Sequence, residues 1–242
     1  MERSGSKSTS AVLVAAGRSE RMGTQSERKP FLVLEGRTVL ERACAAFDGA
    51  PSVVEIVVVG CEADLERIDR LRADSPAMRK VVKIVPGGEM RSDSVRAGVL
   101  GVDPEVELIA VHDVARPLVE PELVERAIAV AAVRGAALVA IPTTDTIKTS
   151  SDGERAESTL DRTVLWSAQT PQVFRAGLLR ELLARALSEG YRPTDDAALH
   201  ESYVGPVPIV PGDPYNLKIT RSSDLALAAA VLRERSARSD RP

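Results

Sequence analysis

The sequence has few cysteines, no long apolar run and no excess of positive charge. Cys44 and Cys61 are the 2 cysteines among 242 residues, which is too few for a disulfide framework. Both lie in apolar segments where a buried free thiol is usual, so a reducing cytoplasm fits. No apolar run approaches the roughly 20 residues that span a bilayer, so no membrane association is expected. The formal net charge of −3 argues against a nucleic-acid partner held by a basic surface.

Several common catalytic motifs are also absent. There is no Walker A sequence, and the dinucleotide pattern G-x-G-x-x-G fails because Ser19 and Met22 occupy its second and third glycine positions. No Gly-x-Ser-x-Gly occurs, which argues against a nucleophile-elbow hydrolase. The 2 histidines, His112 and His200, have no cysteine spacing that suits structural zinc. P-loop hydrolysis and nicotinamide binding are therefore disfavoured.

Short aliphatic runs alternate with helical patterns along most of the chain. Strands apolar on both faces, separated by amphipathic helices, predict an α/β fold with a Rossmann-like, mostly parallel sheet covered by helices on both faces. Ligands of such sheets bind beyond the carboxyl ends of the strands. The predicted strands are 11–16, 53–60, 81–85, 108–112, 137–141 and 206–210, and the predicted helices are 38–47, 63–71, 92–100, 121–134, 176–189 and 222–234.

One domain over residues 11–234 is the simplest organisation for this length. Residues 1–10 lack the apolar centre of a signal peptide and are expected to be a disordered leader, with a frayed tail over 235–242. The polar segment at about 142–167 breaks the alternation, and Asp152-Gly153 between two extended runs predicts a β-hairpin. This hairpin either protrudes onto a partner, covers the active site, or is a plain surface excursion.

The first predicted strand opens into a cationic loop. Its apolar run ends at Gly17, and Arg18, Arg21, Arg28 and Lys29 follow. Small residues let backbone N–H groups approach phosphates, and fixed cations neutralise them. The loop therefore predicts a nucleotide polyphosphate ligand, with a solvated turn as the alternative from these residues alone.

A second group of motifs falls at later strand ends. Gly87 and Gly88 precede a predicted helix, where Ser94 supplies a hydroxyl near the first turn. Asp113 ends another strand, where its carboxylate can bind a ribose hydroxyl or a phosphate-bound divalent cation, or serve only as a cap. Arg116 could pair with Asp113, which would make that cluster structural.

Lys218 sits between apolar residues in an extended stretch near the end of the chain. Its ammonium group must reach either solvent or an anion. The position of Lys218 is weak evidence for an anion site by itself. It becomes informative only together with the motifs that precede it in the chain.

Taken together and in order, these segments resemble the 2-C-methyl-D-erythritol 4-phosphate cytidylyltransferase family over residues of about 11 to 234. The resemblance implies transfer of CMP from CTP to the phosphate of 2-C-methyl-D-erythritol 4-phosphate, with release of pyrophosphate. The matching pieces are Ala15-Ala16-Gly17 with Arg21-Met22 and Lys29, Gly87-Gly88 with Arg91 and Asp93-Ser94-Val95, Val111-His112-Asp113 with Ala115-Arg116-Pro117, Asp145-Thr146 with Lys148, Asp161-Arg162 with Leu165-Trp166, Thr170-Pro171-Gln172, Thr194-Asp195, and Asn216 with Lys218 and Thr220.

The resemblance also implies roles for particular side chains. Arg21 and Lys29 would flank the CTP phosphates, and Arg162 and Lys218 would hold the phosphate of the second substrate. Asp113 would contact the nucleotide or its Mg²⁺, an ion expected chiefly on the CTP phosphates. The cytidine site would be lined by Ala15, Ala16, Gly17, Gly88, Glu89 and Ser94, and the second substrate would be approached by Arg116, Thr146 and Thr194.

In this family the hairpin is an arm that wraps around a second subunit. The resemblance therefore implies a homodimer in which Thr146 and Arg162 complete the partner's site. Three departures stand out: Ser19 replaces a frequent glycine, Glu89 replaces the usual aspartate, and Arg28-Lys29-Pro30 replaces Pro-Lys-Gln. The last departure leaves Arg28 as an alternative loop cation, although Lys29 is favoured.

Two other functions remain open from the sequence. Ribitol 5-phosphate cytidylyltransferases share most of these motifs, so the polyol substrate could differ. A nucleotide-binding regulator that lost turnover is the second alternative, which the persistence of Arg21, Lys29, Arg162 and Lys218 disfavours.

Overall fold

A computed structural model describes residues 8–17 and 27–239, and the expectations for residues 1–7 and 240–242 lie outside this part of the chain. Its elements, in chain order, are β1 (Thr9–Val14), β2 (Val33–Leu34), β3 (Arg37–Thr38), α1 (Val39–Asp48), β4 (Val53–Gly60), α2 (Leu65–Asp74), β5 (Val81–Pro86), α3 (Arg91–Gly101), β6 (Leu108–Asp113), α4 (Pro121–Arg134), β7 (Ala136–Pro142), β8 (Lys148–Thr149), β9 (Ser158–Thr159), β10 (Trp166–Arg175), α5 (Ala176–Glu189), α6 (Asp196–Tyr203), β11 (Ile209–Pro211) and α7 (Ser222–Ser239). Short 3₁₀ turns lie at Lys29–Phe31, Glu62–Asp64, Pro76–Met78 and Arg162–Val164.

Within the described residues, seven strands form one sheet in the order β11-β7-β10-β6-β1-β4-β5. β10 runs antiparallel to β6 and β7, and the other neighbouring strands of this sheet are parallel. The predicted mostly parallel sheet is confirmed. The parallel strands β1, β4, β5 and β6 therefore end at one common edge.

Side chains that alternate along β1 enter two cores on opposite faces of the sheet. Leu13 packs in a core that includes Phe47 of α1, while Val12 packs in a core with Val95 of α3 and Leu179 of α5. Successive side chains of a strand point to opposite faces of the sheet. Because both faces are buried here, residues at every position of β1 need to be compatible with a core. The predicted helices on both faces are confirmed.

Most predicted elements lie within two residues of their observed bounds, and the differences concentrate at a few places. β1 begins at Thr9, inside the expected leader, and α7 continues to Ser239, past the expected start of the tail. β10 and α6 are not among the predicted elements. None of the helices described in residues 8–17 and 27–239 is long and apolar enough to cross a membrane.

The segment between β7 and β10 forms the predicted hairpin. β8 pairs antiparallel with β9, and Gly153 occupies the turn with φ of 74°, a conformation that favours glycine. The two ends of the segment meet where Thr143 N–H donates to Leu165 O at 3.0 Å. Residues 150–164 are all exposed in the single chain. We call residues 142–167 the arm.

Candidate active site

A cavity of about 800 Å³ opens at the edge where β1, β4, β5 and β6 end. It lies where ligands of open α/β sheets bind. Several residues that the sequence assigned to the site line it together, namely Ala15, Ala16, Gly17, Lys29, Gly88, Glu89, Ser94, Asp113 and Lys218.

Two glycines bring the backbone close to its neighbours in one wall of the cavity. A Cβ atom on Gly87 would lie 2.5 Å from Ala16 Cβ, and one on Gly88 would lie 2.3 Å from Asp93 Cβ. Gly87 N–H donates to Gly60 O at 2.7 Å, which joins this wall to the end of β4. A side chain at either glycine would therefore push the wall out of place.

The first turn of α3 faces the same cavity. Gly88 N–H donates to Ser94 Oγ at 3.2 Å, and that hydroxyl donates to Met90 O at 3.2 Å. Asp93 accepts a hydrogen bond from Met90 N–H at 3.1 Å and so fixes the start of the helix at Arg91. The positive end of a helix dipole favours an anionic ligand nearby.

Asp113 forms the centre of a charged cluster. Its Oδ1 accepts from Arg91 Nε at 3.1 Å, and its Oδ2 accepts from Lys218 Nζ at 2.7 Å. Burial opposes ionisation, but the charges of Arg91 and Lys218 hold the pKa of Asp113 well below its usual range. Asp113 is therefore a fixed anion that orients two cations at the cavity.

Arg91 also reaches away from the cavity to a second carboxylate. Its Nη2 donates to Asp196 Oδ2 at 2.9 Å, and Asp196 is buried at the start of α6. Burial raises the pKa of Asp196, an effect that Arg91 opposes. Burial also disfavours the charged form of Arg91, but its two carboxylate neighbours more than compensate and raise the pKa of its guanidinium. Arg91 thus links α6 to the end of β6.

The possible pairing of Arg116 with Asp113 is wrong for this structure. Arg116 instead donates to Asn216 O at 2.7 Å and to Ala168 O at 3.1 Å. The partners of Asp113 are Arg91 and Lys218, which come from α3 and from the segment before α7. Arg116 does not line the cavity.

His112 supports the backbone of this cluster from inside the core. Its Nε2 lies 3.1 Å from Arg116 O, and its Nδ1 lies 2.9 Å from Thr170 Oγ1, which accepts from Asp113 N–H. Burial lowers the pKa of His112 to about 4. The neutral ring that donates through Nε2 and accepts at Nδ1 satisfies both contacts.

The two candidate loop cations have different surroundings. Lys29 lines the cavity, whereas Arg28 Nη1 lies 3.0 Å from Asp64 Oδ2 outside it. This placement favours Lys29 as the cation that meets a ligand. Arg21 lies outside the described residues.

Besides Arg116, three other residues assigned to the second substrate do not line the cavity of the single chain. Thr146 and Arg162 are exposed on the arm, where Arg162 Nη1 donates to Thr144 O at 2.9 Å. Thr194 is exposed just before α6.

Sequence reasoning gave no role to several residues of this region. Arg91 belongs to the segment that matches the family after Gly87-Gly88 but has no predicted role, and Asp196 directly follows the Thr194-Asp195 segment. The signal for Asp196 was its position after Asp195, whose carboxylate caps α6 by accepting from Ala198 N–H at 2.8 Å. Met90, Pro30, Cys61 and Glu62 also line the cavity.

The open parallel sheet, the glycine-lined cavity at its carboxyl edge and the lysines at that cavity define a nucleotide-binding α/β protein. Residues 9–234 match the family described as IspD, 2-C-methyl-D-erythritol 4-phosphate cytidylyltransferase. The chain belongs to this family, so it is a nucleotidyltransferase that performs CTP-dependent cytidylyl transfer to 2-C-methyl-D-erythritol 4-phosphate in isoprenoid biosynthesis.

Individual relatives agree with the family match. The 2-C-methyl-D-erythritol 4-phosphate cytidylyltransferase of Syntrophotalea carbinolica is 43% identical over 222 residues, covering 91% of this chain and 94% of the relative. The crystal structure of the same-named protein from Thermus thermophilus has 34% identity and a TM-score of 0.75, covering 92% and 98%. That of 4-diphosphocytidyl-2C-methyl-D-erythritol synthase from Anaerococcus prevotii has 28% identity and a TM-score of 0.81, covering 94% and 97%.

Proposed function

We propose that the cavity holds CTP with its triphosphate beside Lys29, and that the phosphate of the second substrate lies beside Lys218 in the same cavity. One observation carries this assignment: two lysines that are distant in sequence line the same cavity as Gly88 and the first turn of α3. Cations and helix-terminal N–H groups in one place are suited to a triphosphate. Ala15, Ala16, Gly17, Gly88, Glu89 and Ser94 would surround the cytidine.

The chemistry asks the protein for alignment and charge neutralisation. A phosphate oxygen of the second substrate attacks the α-phosphorus of CTP, a new P–O bond forms, and the bond to the β-phosphate oxygen breaks to release pyrophosphate. This route needs no covalent enzyme intermediate. Lys29, with Arg21, would neutralise the negative charge on the triphosphate as pyrophosphate departs.

Lys218 would hold the phosphate of the second substrate in line. Its side chain is 44% exposed although its Nζ is bound to Asp113, so the ammonium faces both the carboxylate and the cavity. A lysine supplies a compact point charge with three donors, and one donor to Asp113 leaves others for phosphate oxygens. Arg116, Thr146, Arg162 and Thr194 would complete the recognition of this substrate.

Mg²⁺ fits this cavity as an ion carried by the phosphates. Residues 8–17 and 27–239 contain no group of three or more potential metal-binding side chains. Asp113 is the residue that would hold the ion, because each of its oxygens accepts one hydrogen bond and keeps a second acceptor direction. When bound, Mg²⁺ supplies positive charge to the triphosphate.

We further propose a homodimer in which the arm of one subunit reaches the cavity of the other. The exposure of Thr146 and Arg162 supports it, since neither reaches the cavity of its own chain. The apolar side chains of Leu160, Val164 and Trp166 are 41%, 72% and 43% exposed on the arm. Packing against a second copy would bury them.

The two free thiols support a cytoplasmic location, because a reducing compartment keeps such groups unpaired. Cys44 is fully buried, and burial raises the pKa of its thiol. It is therefore protected from oxidation as long as the core stays folded.

CTP-dependent pyrophosphate release tests the substrate assignment. The assay is run with 2-C-methyl-D-erythritol 4-phosphate and, separately, with ribitol 5-phosphate. Faster release with the methylerythritol substrate is the expected result. Preference for ribitol 5-phosphate would overturn the choice of polyol, and CTP binding without release from either substrate would indicate a regulator.

A further inference from the structure

Cys61 lies between the two described ends of the cationic loop. Its Sγ donates to Ala16 O at 3.0 Å, just before the loop, and contacts Arg28 Nη2, just after it. Cys61 itself follows β4 and lines the cavity. The base of the loop is thus joined by one thiol to the edge of the sheet.

Arg28 makes a second contact behind the cavity wall. Its Nη1 lies 3.0 Å from Asp64 Oδ2, in the 3₁₀ turn that leads into α2, and the Asp64 side chain is only 9% exposed. Asp64 Oδ2 accepts no hydrogen bond of good geometry from the described residues, so its contact with Arg28 is a charge–charge interaction. Separating a nearly buried carboxylate from its counter-charge strongly destabilises the folded protein. The pairing with Asp64 therefore holds the Arg28 side chain in place.

The neighbouring residues are attached to the same helix. Arg67 of α2 pairs with Glu27 at 2.5 Å, and its guanidinium lies 3.9 Å from the centre of the Phe31 ring. Residues 27–31 are therefore held against the start of α2 from both sides of Lys29.

We propose that Arg28 is a positioning residue that directs Lys29 into the cavity. Arg28 has an extended backbone, with φ of −64° and ψ of 141°. This is a polyproline-II-like geometry, in which consecutive side chains point in directions about 120° apart, so fixing Arg28 toward Asp64 and Cys61 leaves Lys29 pointing away from them, into the cavity that it lines. Pro30, which has a fixed φ and also lines the cavity, restricts the chain on the other side of Lys29.

This inference rests on the proposed contact between Lys29 and the CTP phosphates. Asp64 neutralises the charge of Arg28, so Arg28 adds little positive charge to the cavity. Replacing Arg28 should therefore affect catalysis through the placement of Lys29. A displacement of about 1 Å in a phosphate-binding group is enough to cost a large part of the rate.

The test is a double-mutant cycle between Arg28 and Lys29. We expect Arg28→Ala to lower kcat/KM for CTP by about 10-fold or more, and to leave KM for the methylerythritol substrate unchanged at saturating CTP. Arg28→Lys, which keeps the charge, should recover part of the loss. On a Lys29→Met background the same Arg28→Ala change should cost less than about 2-fold, because its effect passes through the missing lysine.

Arg79→Ala is the matched control. Arg79 also pairs with a nearly buried carboxylate, that of Asp48 at 2.7 Å and 8% exposed, but it precedes β5 at the sheet edge opposite the cavity. Its removal should leave both kinetic parameters unchanged. The double variant Arg28→Ala/Asp64→Asn removes both charges of the pair, and we expect it to fold and to keep the CTP defect.

Alkylation provides a readout independent of turnover. Because Cys44 is fully buried, labelling of the folded protein by iodoacetamide reports on Cys61. Loss of the guanidinium that covers the thiol should speed labelling in Arg28→Ala, and CTP should slow it in the wild type because Cys61 lines the cavity. Unchanged labelling in Arg28→Ala would contradict the contact.

The outcomes separate the proposed role of Lys29 in binding CTP from the proposed role of Arg28 in positioning Lys29. Unchanged CTP kinetics in Lys29→Met would overturn the proposed role of Lys29 itself. A loss in Lys29→Met together with wild-type kinetics in Arg28→Ala would overturn the positioning role alone. An equal loss from Arg28→Ala on both backgrounds would also overturn it, since that is the behaviour of a general structural residue.

Discussion

The Lys218 ammonium lies 2.7 Å from Asp113 Oδ2, although the two residues are 105 positions apart in the sequence. The same carboxylate binds Arg91 through its other oxygen. Asp113 therefore orients Lys218, the cation proposed to hold the phosphate of the second substrate, before any ligand arrives. Such preorganisation lowers the cost of ordering charges during the reaction.

Replacing Lys218 should separate turnover from nucleotide binding. We expect Lys218→Ala to lower kcat by about 10²-fold or more while CTP affinity changes little, because the ammonium is proposed to hold the attacking phosphate. Steady-state kinetics and calorimetric titration with CTP measure the two quantities. Lys83→Ala, an exposed lysine of β5, is the control. Unchanged kcat in Lys218→Ala would reject the assignment.

Arg91→Ala should destabilise the fold as well as the site. It removes the guanidinium between the buried carboxylates of Asp113 and Asp196, and breaking a buried ion pair costs about 3 to 5 kcal/mol. Denaturant unfolding at pH 7 gives the free energy. The loss should be smaller for Arg79→Ala, whose guanidinium is exposed and whose single partner, Asp48, keeps a hydrogen bond from Lys80 N–H at 3.2 Å. Equal losses in the two variants would show that the cluster around Arg91 adds no more stability than this single pair.

His112 should make the free energy of unfolding depend on pH. Its pKa is about 4 in the folded protein against 6.5 for an unperturbed histidine, so the unfolded state binds the extra proton first as pH falls. The contribution of His112 to the free energy of unfolding is fully present above pH 6.5. It declines by about 3 kcal/mol as pH falls toward 4. His112→Gln, which keeps a donor and an acceptor, should have a shallower pH dependence over this range. Identical slopes would exclude a buried neutral ring.

Mixed dimers test whether the sites are shared. If the arm completes the partner's cavity, Lys29→Met and Arg162→Ala subunits carry complementary defects. Refolding or co-expressing the two impaired variants should restore about one quarter of the wild-type activity, from the one intact site of each heterodimer. No recovery in a mixture that forms heterodimers would place Arg162 in the site of its own chain. Size-exclusion chromatography with light scattering checks the assembly.

The sequence predicted the regular elements of the sheet but missed its antiparallel strand. The residues of β10 include Gln169, Thr170, Pro171 and Gln172, and a proline among polar residues argues against a central strand. In the structure the pairing of β10 with β7 shifts register between Ala168 and Gln172, around this proline. β10 forms because it pairs with β6 on one side and β7 on the other, and a local sequence pattern contains no information about these partners.

The site was predictable in its residue types and less so in its pairings. Lys29, Gly88, Ser94, Asp113 and Lys218 follow strands or open helices, where the topology of an α/β sheet brings ligand-binding groups together. The choice of Arg91 as a partner of Asp113 depends on how close the start of α3 lies to the end of β6, which no sequence spacing encodes. The roles proposed for Thr146 and Arg162 require a second chain, which a pattern in one sequence does not describe.

The hydrogen bond between Thr143 and Leu165 closes the chain at the root of the arm. β7 ends and β10 begins at that point, so the central sheet is complete without the residues between them. We therefore expect changes of length or composition within residues 144–164 to leave the strands on both sides intact. Apart from Thr146 and Arg162, whose proposed roles restrict them, evolution could thus vary the arm without disturbing the folding of the sheet.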